Sequence, residues 1–251
     1  MSVELLGPSE SPTRKPRFLN PDFLLLPNEV LLLVANFLER ETDINSLAKT
    51  NRRFYSPLNP YLYRRNSLQS GSSALLWAAQ EGMAATARTC VLEGANVEAI
   101  NSHGRTPLFQ AAVEGHEEVL KLLLETGRVD VDSKDSDDRT PLSVAAGHGY
   151  EAVVKLLLAT GRVNIDSKDR CYRTPFFWAA ARGHEAVLKL LLETGRVNVD
   201  SKDPFDRTPL SVAAEQGHEA VGKLLLATGR AQRICMIARH CFWLRWKAMK
   251  L

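Results

Sequence analysis

Residues 174–193 read TPFFWAAARGHEAVLKLLLE, and residues 140–159, one step of 34 earlier, read TPLSVAAGHGYEAVVKLLLA. The same frame opens at Thr106 (TPLFQAAVEGHEEVLKLLLE) and at Thr208 (TPLSVAAEQGHEAVGKLLLA). A more divergent copy starts near Ser73 (SALLWAA), 33 residues before Thr106. Self-similarity at this period marks a stack of small supersecondary units, each resting on its neighbours, and not one globular core.

Each repeated residue has a physical task. Thr106, Thr140, Thr174 and Thr208 offer a side-chain oxygen to an orphan backbone N–H at a helix start. The Pro after each Thr loses no intrahelical bond at the first helical position. The Ala pairs (Ala111-Ala112, Ala145-Ala146, Ala179-Ala180, Ala213-Ala214) are small enough for one helix to lie close to the next. A Gly then ends the first helix by taking positive φ. In the second helix Val119, Leu122 and Leu123 fall at i, i+3, i+4 and make one apolar stripe. The polar ETGRVDVDSKD segment reads as a loop, and the extra residue near TGRV is expected to lengthen it without breaking the stack. The fold expected from this is mostly α: helix pairs stacked into a solenoid over residues 71–230, in units starting near 73, 106, 140, 174 and 208.

These residues resemble the ankyrin repeat, D-x-x-G-x-T-P-L-H-x-A-A-x-x-G-H. The chain departs from that pattern in two places. Phe109, Ser143, Phe177 and Ser211 replace the His of T-P-L-H, so its hydrogen-bond network is expected to be absent. Only Gly104 keeps the glycine of the finger loop; Asp138, Tyr172 and Asp206 replace it elsewhere, and Tyr in a left-handed conformation is costly. Differently shaped fingers are expected. The resemblance implies that a partner binds the fingers and the concave face of the first helices. The phase of the repeat then names Trp77, Gln110, Val144, Trp178 and Val212, with Glu114, His148 and Arg182 before the Gly turn, and Arg170, Tyr172 and Phe205 in the fingers. Tyr, Trp and Arg most often dominate interface energy, which singles out Arg170, Tyr172, Trp178 and Arg182. The alternative for Trp77 and Trp178 is packing between repeats.

In front of the array, residues 1–22 are rich in Ser, Pro and Arg and read as a disordered tail. Residues 23–70 are too apolar for a linker. Pro27 suits the start of a helix in which Val30, Val34, Phe37 and Leu38 share a face. Asp43 is placed to cap a second helix with Ile44 and Leu47. The segment resembles an F-box in Leu26-Pro27-Asn28-Glu29-Val30, then Val34 and Leu38, Ile44 and Leu47, Arg52-Arg53 and Phe54. Thr50 stands where that family has an apolar residue. The resemblance implies that Leu26, Pro27, Val30, Val34, Leu38, Ile44 and Leu47 pack against the Skp-type adaptor of a cullin ubiquitin ligase. An F-box followed by interaction repeats is similar to the F-box/ankyrin proteins of filamentous fungi, in which the repeats hold a protein substrate. The alternative is a tethering scaffold whose N-terminal helices only cap the stack.

The net charge of +3 hides an asymmetry: +2 over residues 1–70, −5 over 71–229 and +6 over 230–251. An acidic middle argues against a surface for nucleic acid. Four cysteines without C-x-x-C spacing make neither a disulfide framework nor a metal site. No signal peptide or membrane span is read, and a cytoplasmic or nuclear home is expected. His116, His184 and His218 recur in phase and read as structural; no nucleophile recurs beside them, so no catalytic constellation can be argued. The aspartates at 132, 135, 166, 169, 200 and 203 lack the order of a calcium loop and read as solvated turn caps. No cofactor or metal is expected, and outside a ligase complex the chain is expected to be a monomer. Residues 231–251 are basic and hold Trp243 and Trp246. They are read as a cap on the last repeat, with a membrane-surface helix or an aberrant chain end as alternatives.

Overall fold

The computed structural model describes residues 27–38, 62, 64–66 and 72–228. Among these residues eleven helices have defined bounds, residues 62 and 64–66 are helical as well, and there is no strand. The expectations for residues 1–22, Leu26, Asp43, Ile44, Leu47, Thr50, Arg52 to Phe54 and 231–251 lie outside the described residues. The chain divides into two compact units, Met1–Leu62 and Tyr63–Leu251.

In the first unit, helix α1 spans Asn28–Phe37. Pro27 stands just before it with φ −57°, and its carbonyl accepts the Leu31 N–H at 3.1 Å. Leu31 and Ala35, one turn apart, are fully buried. Val30 and Leu33 are exposed, and Val34 and Leu38 are half-buried. The chain leaves the helix in an extended conformation at Leu38.

The second unit is a row of five helix pairs. They are α2 (Ser73–Gln80) with α3 (Ala84–Leu92), α4 (Pro107–Glu114) with α5 (Glu117–Glu125), and α6 (Pro141–His148) with α7 (Glu151–Ala159). Two more follow: α8 (Pro175–Arg182) with α9 (Glu185–Glu193), and α10 (Pro209–Glu215) with α11 (Glu219–Ala227). First helices pack on first helices of the adjacent pairs, and second helices on second helices. One apolar cluster runs without a break from Leu75 to Leu225. Ala111, Ala112, Ala145, Ala146, Ala179 and Ala180 are fully buried, because there the helices approach most closely. Val119, Leu120 and Leu123 are fully buried on the second-helix stripe. Each such Leu contributes about 1.5–3 kcal/mol by leaving water, and that stabilisation exists only while a neighbouring repeat covers it.

The starts of α4 and α8 are capped by the Thr–Pro pairs, with Thr106 and Thr174 hydroxyls accepting the N–H of Phe109 and Phe177. At α6 and α10 the residue in place of the family's His is Ser, and it closes a reciprocal box. Ser143 Oγ accepts the Thr140 N–H at 3.0 Å while Thr140 Oγ1 accepts the Ser143 N–H at 3.3 Å. A different polar network therefore stands where that of T-P-L-H is missing. In the two Phe repeats the Thr hydroxyl meets a Ser of the following loop: Thr106 Oγ1 is 3.0 Å from Ser133 Oγ, and Thr174 Oγ1 is 3.1 Å from Ser201 Oγ. The first repeat has no Thr–Pro. Asn66 caps it from outside the helix, accepting the Ala74 N–H at 2.9 Å. At the TGR loops, Thr126, Thr160 and Thr194 hydroxyls donate to the carbonyls of Leu123, Leu157 and Leu191 and close the second helices, so the longer loop leaves the stack intact.

The phased histidines stitch one repeat to the next. Nε2 of His116 donates to the Gln80 carbonyl (2.9 Å), His184 to Gly147 (3.0 Å) and His218 to Ala181 (3.1 Å). Since a carbonyl only accepts, Nε2 carries the proton. Gly82, Gly149 and Gly183, in the turns after their first helices, make room for these rings. A methyl group at Gly149 would lie 2.5 Å from His184 Nδ1, and Gly149 has φ +79°. Gly161 also has positive φ, +67°, but faces nothing within 4 Å. Gly161→Ala is thus expected to cost only the left-handed strain, about 1–2 kcal/mol. Gly149→Ala must also displace His184 and strand the Gly147 carbonyl, for a further 1–3 kcal/mol or so. Denaturant titration of the two variants checks the ranking; equal losses would show that His184 carries no inter-repeat stability.

Candidate functional site

The fingers are hairpin loops at residues 101–105, 135–139, 169–173 and 203–207. Their shape is set by one side chain each. Asp135 Oδ1 accepts the N–H groups of Asp137 and Arg139, both at 3.0 Å, and its Oδ2 holds Arg139 Nη2 at 2.7 Å. Asp169 and Asp203 repeat the bracket with Arg173 and Arg207. This corrects the reading of these three aspartates as solvated caps: they are 5–7% exposed. It also corrects the expected difference in finger shape. Asp138, Tyr172 and Asp206 sit at φ 60°, 57° and 59°, the same left-handed turn that Gly104 makes at 71°. Two backbone bonds and a charged pair on one carboxylate outweigh the strain. The Gly104 finger has Asn101 in place of Asp; its amide oxygen accepts the His103 and Arg105 N–H groups but has no charge with which to hold Arg105.

Neighbouring fingers are joined by backbone bonds: Ser136 N–H to His103 O at 3.0 Å, and Arg170 N–H to Asp137 O at 3.1 Å. At the equivalent position of the last finger stands Pro204, which has no N–H to offer Cys171. The ladder stops there, and two large side chains stand out on either side, Tyr172 at 60% and Phe205 at 77% exposure. Lys168 lies over the Tyr172 ring at 5.8 Å and Arg207 over Phe205 at 5.3 Å.

Asp169 links its finger to the first helix of its repeat. Its Oδ2 accepts Trp178 Nε1 at 3.0 Å beside Arg173 Nε at 3.2 Å. Arg173 lies 4.1 Å from the Trp178 ring centroid and Arg182 5.9 Å. Trp178 is half-buried, with its Cβ 3.6 Å from where a methyl group at Gly147 would stand. Trp178 therefore packs against the neighbouring repeat while part of its ring stays exposed. Arg170, Tyr172, Trp178 and Arg182, singled out from the sequence, thus lie on one finger and the helix it is tied to. Trp77 belongs to the first repeat and is 51% exposed. Glu114 and His148 are exposed; His148 Nδ1 donates to the Val144 carbonyl at 2.9 Å and its ring stacks on Tyr150. Gln110 corrects the list of surface positions: it is 5% exposed, and Val144 and Val212 are buried with it. The close approach of adjacent first helices covers a slender side chain at this position, whereas Trp77 and Trp178 are too large to be covered.

On α1, the expected adaptor residues Pro27 and Val30 are exposed, and Val34 and Leu38 are half-buried. Leu33, 59% exposed, joins Val30 three residues before it on the helix surface. Sequence reasoning passed over Leu33 because a leucine in an apolar run reads as core; only burial of Leu31 and Ala35 shows which side is turned in.

Burial pushes the Cys90 thiol up to about 11, offset slightly by a backbone hydrogen bond, so it is inert. No group of three or more His, Cys, Asp or Glu among the described residues is arranged to hold a metal ion. No helix of the described residues is long and apolar enough to cross a membrane.

The family model for ankyrin repeats, three copies, matches residues 58–135, 75–169 and 142–234. The model for an F-box-like domain matches residues 23–69. A palmitoyltransferase of Lachancea kluyveri, AKR1, is 41% identical over 58 residues, which is 23% of this chain and 8% of that protein. So small a share concerns the repeats and says nothing of the activity in that protein's name.

Tyr172→Gly is expected to raise the thermal midpoint by about 2–4 °C, the equivalent of roughly 1 kcal/mol of relieved strain. An unchanged or lower midpoint would mean that the Lys168–Tyr172 contact outweighs the strain. For Asp203, burial raises the carboxyl pKa, but the Arg207 guanidinium and the N–H groups of Arg207 and Phe205 outweigh it, and the net direction is downward. A carboxyl depressed in the folded state stabilises fully above its unfolded value, about 3.9, and loses that contribution as pH falls through the folded value. Asp203→Asn should therefore unfold at lower temperature than wild type at pH 7, and the gap should narrow as the pH is lowered below about 3.9. A constant gap between the two proteins across that range would remove the charge from the explanation.

Proposed function

The chain belongs to the ankyrin-repeat family, as an F-box protein with C-terminal ankyrin repeats, and from that premise we propose that it is the substrate-recognition subunit of a Skp–cullin–F-box ubiquitin ligase. Both kinds of domain are protein-interaction modules without bond-making chemistry of their own, and together they indicate an adaptor that holds two proteins near one another. In this reading residues 23–69 dock on a Skp-type adaptor and the ankyrin face holds the protein to be ubiquitinated. The contribution is proximity, which turns an encounter between ligase and substrate into an effectively intramolecular one.

The observation that carries the adaptor half is the exposed apolar edge of α1, where Val30 is 36% and Leu33 59% exposed while Leu31 and Ala35 are fully buried. Exposed aliphatic residues at i, i+3 on a helix are the pattern by which one helix enters a partner's groove. The substrate half is supported by the exposed, repeat-specific residues Trp77, Glu114, His148, Arg170, Tyr172, Arg182 and Phe205, with the half-buried Trp178 among them. They vary where the rest of the repeat is nearly invariant along this chain. The cytoplasm or nucleus, where ligases of this kind work, is part of the same proposal.

Co-purification of the full chain with a Skp-type adaptor tests it. Wild type should bring the adaptor down, and Val30→Asp with Leu33→Asp should reduce recovery at least tenfold. Both positions are exposed, so the variant should keep the wild-type thermal midpoint. Failure of wild type to recruit the adaptor, or full recruitment by the variant, would leave the chain as a tethering scaffold.

A further inference from the structure

The residue just before each Gly turn forms a row that crosses the stack: Glu81, Glu114, His148, Arg182 and Gln216. All five are exposed. Because the row takes one residue from the same place in every repeat, its chemistry is displayed in order along the solenoid. That order is acid, acid, imidazole, guanidinium, amide.

No ion pair among the described residues neutralises the charges of this row. Glu81 and Glu114 meet only the side-chain amides of Gln80 (3.5 Å) and Gln110 (3.3 Å), and neither forms an ion pair among the described residues. The buried Oε1 of Gln110 has no donor, so the acid end of the row is short of donors. Arg182 likewise has no carboxylate partner among the described residues; its contact is the face of Trp178 at 5.9 Å. The guanidinium groups on the finger side are neutralised: Arg139, Arg173 and Arg207 lie 2.7, 3.2 and 2.8 Å from Asp135, Asp169 and Asp203, and Arg105 is 3.7 Å from Asp135. Glu215, next to the row, is 3.7 Å from Arg207. Polarity along this strip is therefore set by Glu81 and Glu114 at one end and Arg182 toward the other, with the exposed Trp77 near the acid end and the half-buried Trp178 beside Arg182.

We infer that this strip recognises a polypeptide segment of matching dipolar charge, with basic residues over Glu81 and Glu114, carboxylates over Arg182, and apolar side chains against Trp77 and Trp178. The inference rests on the proposed binding role of the ankyrin face and specifies its ligand. Helices pack about 8–10 Å apart, so three repeat steps from Glu81 to Arg182 span roughly 25–30 Å. That is about eight or nine residues of extended chain, or roughly 18 of helix. The acid end disfavours a polyanion, because a nucleic acid or anionic membrane that satisfied Arg182 would meet two unpaired carboxylates.

Display of random 20-residue peptides against the full chain tests this, with Arg182→Glu and Glu81→Lys plus Glu114→Lys as companion baits. Wild type should enrich peptides whose basic and acidic clusters lie at opposite ends. Arg182→Glu should enrich basic peptides and the double Lys variant acidic ones. A wild-type-selected synthetic peptide should lose at least about tenfold in affinity for either variant, and Arg182→Lys should recover most of it. Enrichment of peptides with no charge polarity, or equal binding of the same peptide to all baits, would overturn the inference while leaving the face as a binding site. If no peptide is enriched, or if Trp77→Ala plus Trp178→Ala leaves binding unchanged, the binding role of the face falls with it. The exposed charge substitutions should leave the thermal midpoint near wild type, which separates lost recognition from lost folding.

Discussion

A pair of helices seven to nine residues long has too little thickness to cover its own apolar side. Most of the architecture of this chain follows from that constraint. Leu108, Leu142 and Phe176 are fully buried only because another repeat lies on each. Stability in such a stack is a sum of local contributions and nearest-neighbour interfaces. The residues repeated in phase are accordingly those that make the interfaces. Alanines permit close approach, leucines fill the seam, and the histidines at 116, 184 and 218 join each repeat to the carbonyl of the one before.

The same constraint explains what a reader of the sequence can and cannot see. Thr–Pro, Ala–Ala and the helix-ending Gly are legible because each acts within a few residues of itself, and the period then supplies the stacking. Asp135, Asp169 and Asp203 were less legible. Their residue type and turn-rich setting point to solvent, while their burial depends on the neighbouring fingers and on the arginine four residues on. Tyr172 is the same lesson from the other side. Its left-handed conformation is costly when judged alone and affordable when Asp169 fixes the turn around it. Gln110 and Trp178 occupy one position of the repeat, yet one is covered and the other protrudes, because size decides which side chain the adjacent helix can hide. The cap on the first repeat comes from Asn66, eight residues from the N–H it binds, and no local pattern announces it. In front of the array, the F-box resemblance gave the helix and its apolar residues, but not which of them face outward; Leu33 emerged only from burial.

Interfaces that repeat are spent on holding the stack, so specificity has to reside in what does not repeat. The finger ladder illustrates this. It runs from finger to finger until Pro204 withholds its N–H, and the two most exposed finger aromatics flank that interruption. A position freed from the ladder can take a side chain chosen for contact with something else.

The row before the Gly turns is the clearest case, and its energetics separate two roles. Exposed ion pairs are each worth about 1 kcal/mol or less, so Glu81, Glu114 and Arg182 add modest affinity for a ligand. What they supply is direction. A segment placed the wrong way round sets like charges against each other at both ends, a penalty that accumulates while the gain from correct placement stays small. Affinity then has to come from desolvating large apolar surface, and Trp178 is already partly prepared for this. Its indole N–H is fixed by Asp169, and Arg173 and Arg182 both lie by its ring. A ring held in place loses little conformational freedom on contact. The division between a preorganised aromatic anchor and a polar row that sets orientation lets a scaffold of near-identical repeats discriminate between ligands without altering the contacts that keep it folded.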